Sequence, residues 1–239
     1  NIKSSNADIS VVNLHKEYDD RFEPAADVFK GSVSGEKALE FLYKPNMSIY
    51  INVACAKLYK KDLFKDVRYP VGKCHEDGFT TYRLLYAASI VCFSDEDLYC
   101  YYQREGSIMN KFSENRLNEY EVYIEREKFF KDNNLKELEM QNKKTRCACI
   151  KSLTVKMFDY DMNKQTRKKW LAVFRQDLKS NITQASINSG KLYNYIYLCS
   201  PWWFHKLCIL KRRLGKALRK KNEISSIVSL IFKTVYARM

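Results

Sequence analysis

Apolar positions along this chain of 239 residues first alternate and then fall into helical spacing, and the change marks its organisation. Ala7-Asp8-Ile9-Ser10-Val11-Val12-Asn13-Leu14 alternates with the period of two that suits a strand. Residues 15–34 are charged and irregular, with Pro24 and Gly31, and predict a loop or a short hairpin excursion. Residues 34–42 predict a short helix capped by Ser32 or Ser34, which Lys44-Pro45-Asn46 breaks. Ser48 to Tyr59 reads as an apolar strand ending on Lys57-Leu58-Tyr59, and residues 61–64 as a helical turn. From Asp77 onward Phe79, Tyr82, Leu85, Tyr86 and Ser89 fall at helical spacing. Residues 89–93 and 98–103 then predict two strands joined by a turn at Asp95-Glu96-Asp97. Beyond Asn110 only helical patterns remain, over residues 113–133, 136–160 and 165–180 and again from Pro201. The expected fold class is α/β followed by all-α, with a mixed domain over 1–110 and a helical region over 111–239.

Composition sharpens this in two places. Hydrophobic residues make up 46% of the chain, against only 7 Gly and 4 Pro, as in an ordered protein able to bury a core. The net charge of +14 is unevenly spread. Residues 1–140 hold 20 Lys and Arg against 24 Asp and Glu, whereas residues 141–239 hold 22 against 4. The basic character therefore belongs to the last hundred residues and points to an anionic partner, a nucleic acid or a lipid surface. The eight cysteines contain no C-x-x-C pair and sit mostly among apolar residues, as reduced core thiols do. His15, His75 and His205 are scattered without ligand spacing, so no zinc site is expected. No apolar run is long enough to span a membrane. The chain opens on Asn1-Ile2-Lys3, without an initiator Met, so it is expected to start within a longer protein, with any targeting signal outside it.

Candidate chemistry concentrates in Gly72-Lys73-Cys74-His75-Glu76-Asp77-Gly78-Phe79 and Tyr101-Tyr102-Gln103-Arg104-Glu105-Gly106-Ser107-Ile108. A carboxylate at a loop-to-helix junction, facing an arginine-serine loop, suits a reaction in which an acid takes a proton from a hydroxyl while a cation holds a departing phosphate. The bland alternatives stand beside this. Acidic residues favour the first turn of any helix, Arg104 could be a surface residue in a turn, Lys57 could reach past an apolar strand to water, and His75 could be structural.

Taken together, Lys57-Leu58-Tyr59, Glu76-Asp77 and Tyr102-x-Arg104-x-x-Ser107 resemble the acceptor-side half of the family 2 GT-A type glycosyltransferases that build bacterial surface polysaccharides. The resemblance runs through residues 52–108, and more loosely from residue 1 to about 140. It implies a partial GT-A, Rossmann-like half-domain that serves an inverting sugar transfer. Asp77 would be the catalytic base with Glu76 beside it, Arg104 and Ser107 would bind the donor diphosphate, and Lys57, His75 and Tyr102 would line the acceptor side. It also implies a nucleotide-sugar donor, a glycan or lipid-linked acceptor, and a divalent ion, Mg or Mn, in the complete enzyme. The family's amino-terminal nucleotide-binding elements and metal Asp-x-Asp have no counterpart in these residues. Asp95-Glu96-Asp97 imitates that motif but follows the acidic pair instead of preceding it, so it reads as a solvated turn. No metal ligands are expected in this chain, and by itself it is expected to be catalytically silent.

Pro201 opens a segment, 201–221, in which Trp203, Leu207, Leu210 and Leu214 share one helical face and Lys206, Arg213 and Lys216 another. Trp202, Trp203 and Phe204 with Lys211, Arg212 and Arg213 are expected to rest on an anionic membrane surface, cytoplasmic and peripheral on the inner face. A helix packed on the protein with a solvated basic face is the plain alternative. Two rival functions remain open: a non-catalytic membrane-docking adaptor, and a basic nucleic-acid binder, which the acidic first half fits poorly.

Overall fold

In the computed structural model, residues 6–104, 112–160, 162–185 and 191–215 are described, the side chains of 182–185 and of 191 and 192 excepted. Two compact units divide the chain, Asn1–Leu153 and Thr154–Met239, with the boundary inside one long helix.

The first unit is built around β1 (Ile9–Glu17). Its residues are buried almost without interruption from Ile9 to Leu14, as expected of a strand covered on both faces. The short strands β2 (Phe22–Glu23) and β4 (Lys57–Tyr59) pair antiparallel with opposite ends of β1. On its other side runs β5 (Ile90–Tyr102), parallel to β1, and β3 (Gly31–Ser34) closes that edge antiparallel to β5. Residues 89–93 and 98–103, expected as two strands, are thus one strand. Asp95-Glu96-Asp97 lies in an irregularity where β5 carries extra residues against β1, between the Val11–Phe93 and Leu14–Tyr99 partners. The sequence reading mistook a bulge for a turn because both leave polar side chains in solvent.

Ser34 caps α1 (Gly35–Glu40), its hydroxyl accepting the Lys37 amide at 3.2 Å. Ser48 to Tyr59 is not one strand: α2 (Ser48–Asn52) precedes a three-residue β4. Then α3 (Glu76–Ala87) returns the chain to β5, presenting Phe79, Tyr82 and Leu85 inward. Gly35 has no freedom to carry a side chain. A Cβ there would lie 2.0 Å from the Leu85 carbonyl oxygen and 2.1 Å from that of Ala88, so α1 crosses the end of α3 backbone to backbone.

The strand unit does not end near residue 110. Helix α4 (Asn118–Asp132) and the first part of α5 (Lys136–Asp159) send Phe130 and Leu138 into the same core as Ile9, Val11, Leu39, Ile51, Tyr82 and Val91. The sheet's helix-covered side needs apolar area that residues 1–110 do not supply.

The second unit is helical. It holds the end of α5, α6 (Lys164–Ala185), α7 (Lys191–Cys199) and α8 (201–215). Phe174, Leu178, Tyr197 and Phe204 are buried, and Tyr197 meets Thr154 at 2.9 Å and the Phe204 ring at 5.3 Å. The carboxylate of Asp159 binds His205 at 2.8 Å and Arg212 at 3.0 Å; burial works to raise its carboxyl, but the hydrogen bonds from these two side chains outweigh it and hold it below the ordinary range. The whole is α/β followed by all-α, and no helix among the described residues is long and apolar enough to cross a membrane. No disulfide joins any of the eight cysteines.

Gly35→Ala should destabilise the first unit by about 3 kcal/mol or more, because both clashing atoms are backbone oxygens that cannot rotate away. Urea unfolding followed by circular dichroism measures this; an unchanged midpoint would mean that α1 and α3 are not in such close contact.

Candidate active site

The acidic turn is placed by α3. His75 precedes it in a left-handed conformation, φ 61°, which costs an L-residue roughly 1–2 kcal/mol, and such outliers cluster where function over-determines the backbone. Glu76 is exposed, Asp77 is half-buried, and the Asp77 carboxylate accepts the Gly78 amide at 2.7 Å. That contact satisfies one of the helix's unpaired amides, so the structural reading of the acidic pair holds in part. It does not describe the whole environment. Burial lifts the Asp77 carboxyl above the ordinary carboxylate range, and Glu76 adds to the rise. The Gly78 N–H and the charges of His75 and Arg126 oppose it.

Arg126 is the residue the sequence reading missed. It lies on the buried face of α4 with Val122 and Phe130, at spacings of four. Its guanidinium donates to the Gly78 carbonyl from Nε at 3.1 Å and from Nη2 at 2.9 Å, and Nη2 also meets the side-chain oxygen of Asn52. One side chain of α4 thus ties the first turn of α3 to the end of α2. A second tie runs from the Thr81 hydroxyl to the Asn52 carbonyl at 2.9 Å. Gly78 makes the approach possible, since a Cβ there would press to 3.0 Å on the Val122 methyls. The signal in the sequence was a cation inside an apolar i, i+4 row, Val122-Arg126-Phe130.

Lys57 neither reaches for water nor lies open to an acceptor. Its ammonium donates to the carbonyls of Tyr50, of Val53 at 2.5 Å and of Cys55 at 3.4 Å, closing the carbonyl end of α2. Burial pushes its pKa down to about 8, with Cys55 and Asp77 acting the other way. Asp77 also helps raise the phenols of Tyr59 and Tyr69, for both of which burial is the main cause. The acid, the lysine and the two tyrosines therefore share one field. The sequence reading gave neither tyrosine a role in the site.

The arginine loop is described only in part. Tyr102 ends β5, half exposed, and its hydroxyl donates to Asp19. Arg104 lies exposed two residues on, and Ser107 lies outside the described residues. Arg104 is not among the groups that shift Asp77, whereas Arg126 is. A recess of about 460 Å³ between α1 and the start of α5, lined by Glu36, Lys37, Glu40 and Glu137 among others, contains none of the expected site residues.

Carboxylates able to hold a hard divalent ion do not assemble among the described residues. Asp95 pairs with Lys30 at 2.9 Å and Asp97 with His15 at 2.7 Å, so both acids of the Asp-x-Asp imitation already have side-chain partners. On α8, Trp202 and Trp203 are exposed, as are Lys211 and Arg213. Phe204 is buried and belongs to the packing of the second unit, not to the open face expected of it, whereas Arg212 is exposed but paired with Asp159.

No protein-family model matches the chain. It is similar to two curated proteins of Streptococcus pneumoniae serotype 4 (strain ATCC BAA-334 / TIGR4). One is glycosyltransferase GlyA, 29% identical over 121 residues, which cover 45% of this chain and 16% of the relative. The other is glycosyltransferase GlyG, 39% identical over 67 residues, which cover 28% of this chain and 22% of the relative. The chain thus spans less than a quarter of either relative it matches.

Replacing Arg126 by Met should cost about 3 kcal/mol, since the Gly78 carbonyl and the Asn52 amide oxygen lose their buried donor. The loss should fall first on the acidic turn, as faster amide hydrogen exchange over residues 76–80. Unchanged exchange there in Arg126→Met would show that the turn does not depend on α4.

Proposed function

We propose that residues 6–104 and α4 form the acceptor-side part of an inverting glycosyltransferase of the family 2, GT-A kind. The enzyme would transfer a sugar from a nucleotide-sugar to a glycan or lipid-linked acceptor in cell-surface polysaccharide synthesis. The observation that carries this is the Asp77 carboxyl, raised by burial on a helix turn that Arg126 holds in place. The similarity to two glycosyltransferases supports it.

In this reading the acceptor hydroxyl attacks the anomeric carbon from the face opposite the nucleoside diphosphate, which accounts for inversion. Its proton passes to Asp77 as the new glycosidic bond forms and the bond to the diphosphate breaks. A carboxylate lifted toward the working pH is a stronger base than an ordinary surface acid. Arg104, and Ser107 after it, would carry charge from the leaving diphosphate through the guanidinium fork. His75 flanks the acid on the approach to α3, while Lys57 acts from behind by holding the end of α2. The divalent ion that the resemblance implies finds no cluster of carboxylates in the described residues, and no step above runs through it.

The exposed Trp202 and Trp203, with Leu207, Leu210 and Leu214 and the cations Lys206, Lys211 and Arg213, would hold the protein on the anionic inner face of the cell membrane, beside lipid-linked acceptors. This attachment suits an enzyme and a docking adaptor alike, and the buried acid favours the enzyme.

In the full-length enzyme Asp77→Asn should lower turnover roughly 10²–10⁴-fold with the fold unchanged. Wild-type turnover should fall on acidification through a pKa above the ordinary 3.8, the direction in which Asp77 is shifted, because the protonated acid cannot act as base. Near-normal sugar transfer by Asp77→Asn would end this assignment.

Vesicle co-sedimentation checks the membrane surface. Vesicles rich in anionic lipid should pull down the chain, and Trp203→Ser with Leu210→Ser should release most of it, as should higher salt. Binding that ignores both lipid charge and these exposed residues would return α8 to a solvated basic helix.

A further inference from the structure

At the outer end of β1 and β5 a second constellation stands that the sugar-transfer reading does not use. His15 and Glu17 are two residues apart on β1 and so project from the same face. Cys100 is the register partner of His15 on β5, and its thiol donates to the Glu17 carboxylate at 3.0 Å. One donor atom from each of the three lies within 4.8 Å of the others.

A fourth side chain orients the histidine. Both oxygens of Asp97 meet His15 Nδ1, at 2.7 and 2.8 Å. In a regular strand Asp97 and Cys100, three residues apart, would face opposite sides of the sheet. The extra residues in β5 re-aim Asp97, so that both side chains reach the same imidazole. The Phe22 ring, 4.9 Å from that of His15, backs the arrangement.

We propose that His15, Glu17 and Cys100 bind one divalent transition-metal ion. A nitrogen, an oxygen and a sulfur donor together match zinc better than magnesium or calcium, which take oxygen alone. Asp97 on Nδ1 leaves Nε2 as the ligating nitrogen, the carboxylate–histidine pairing typical of metal-bound imidazoles. On binding, the Cys100 S–H bond breaks, its proton leaves to solvent, and the sulfur electron pair forms the bond to the metal with no change of oxidation state. A tetrahedral ion with bonds of about 2.0–2.3 Å holds its ligand atoms roughly 3.5 Å apart. Small rotations of the exposed Glu17 and Cys100 side chains close that gap. Three protein donors leave a fourth position to water or to another ligand.

The spacing along the chain hid this site. Ligand motifs are read over a few residues, but here the parallel pairing of β1 with β5 brings Cys100 to His15 and Glu17.

Titration of the full 239-residue chain with cobalt(II), read by thiolate-to-metal charge-transfer absorption in the near ultraviolet, tests the proposal. One cobalt per chain should give the band, zinc should abolish it by displacement, and Cys100→Ser should never show it. Asp97→Asn should bind roughly 10–100-fold more weakly. Zinc should raise the melting temperature of the wild type and leave that of His15→Ala unchanged. No band from the wild type, or a band of full intensity in Cys100→Ser, overturns the proposal, the second by assigning the metal to another cysteine.

Discussion

A guanidinium buried among apolar side chains must be surrounded by acceptors, because an unmatched buried charge costs several kcal/mol, and the position of those acceptors then constrains every element that supplies them. Arg126 finds its acceptors in the Gly78 carbonyl and in Asn52, so α2, α3 and α4 are fixed at one point. The packing is tight there as well, since a Cβ on residue 78 would press to 3.0 Å on the Val122 methyls. This contact makes α4 part of the strand unit and sets the direction in which the acidic turn faces. An apolar residue at position 126 could fill the same volume. It could not hold the Gly78 carbonyl, and so could not select one placement of the turn over its neighbours.

The charges around that turn are balanced by opposing costs. Burial raises Asp77 and lowers Lys57, each away from its charged form, while Cys55 and Asp77 partly restore the lysine and the Gly78 amide and Arg126 partly restore the acid. Lys57 is committed to three carbonyls, so it acts as a fixed positive charge behind the acid and has no donor left for a substrate. Glu76, exposed at the surface, raises its neighbour further. The outcome is one carboxyl, Asp77, shifted upward by burial and by the neighbouring acid.

The sequence carried the parts of this picture that depend on local pattern. The strand at residues 7–14, the helix capped by Ser32 or Ser34, the helical spacing from Asp77 and the long helices after residue 113 correspond to observed elements, Ser34 being the cap, because apolar spacing reports local structure. Two kinds of feature were not legible. Asp95-Glu96-Asp97 looked like a turn because a bulge and a turn both expose polar residues, and only the pairing with β1 distinguishes them. The short α2 was read as strand because its apolar run has the length of either, and Lys57 closing its end appears in no pattern. In the candidate site Asp77 was singled out by the resemblance, since a place at a helix start suits a capping acid equally well. Arg126 reaches it from α4, while Tyr59 and Tyr69 precede it by less than twenty residues with no periodic spacing to place them against it.

The parallel pairing of β1 with β5 underlies both chemistries. Its inner half is regular and buried, with Ile9, Val11, Val91 and Phe93 in the core against which α3 packs, and so it gives the acidic turn a rigid base. Its outer half is irregular and wet. There the extra residues of β5 break the alternation that would scatter Asp97 and Cys100 to opposite faces. Beyond that irregularity the strands return to register from Leu14 to Glu17, where solvent access lets polar side chains gather. The two halves therefore could not exchange roles, because a cluster of His15, Glu17 and Cys100 placed at the inner end would bury charge without solvent access.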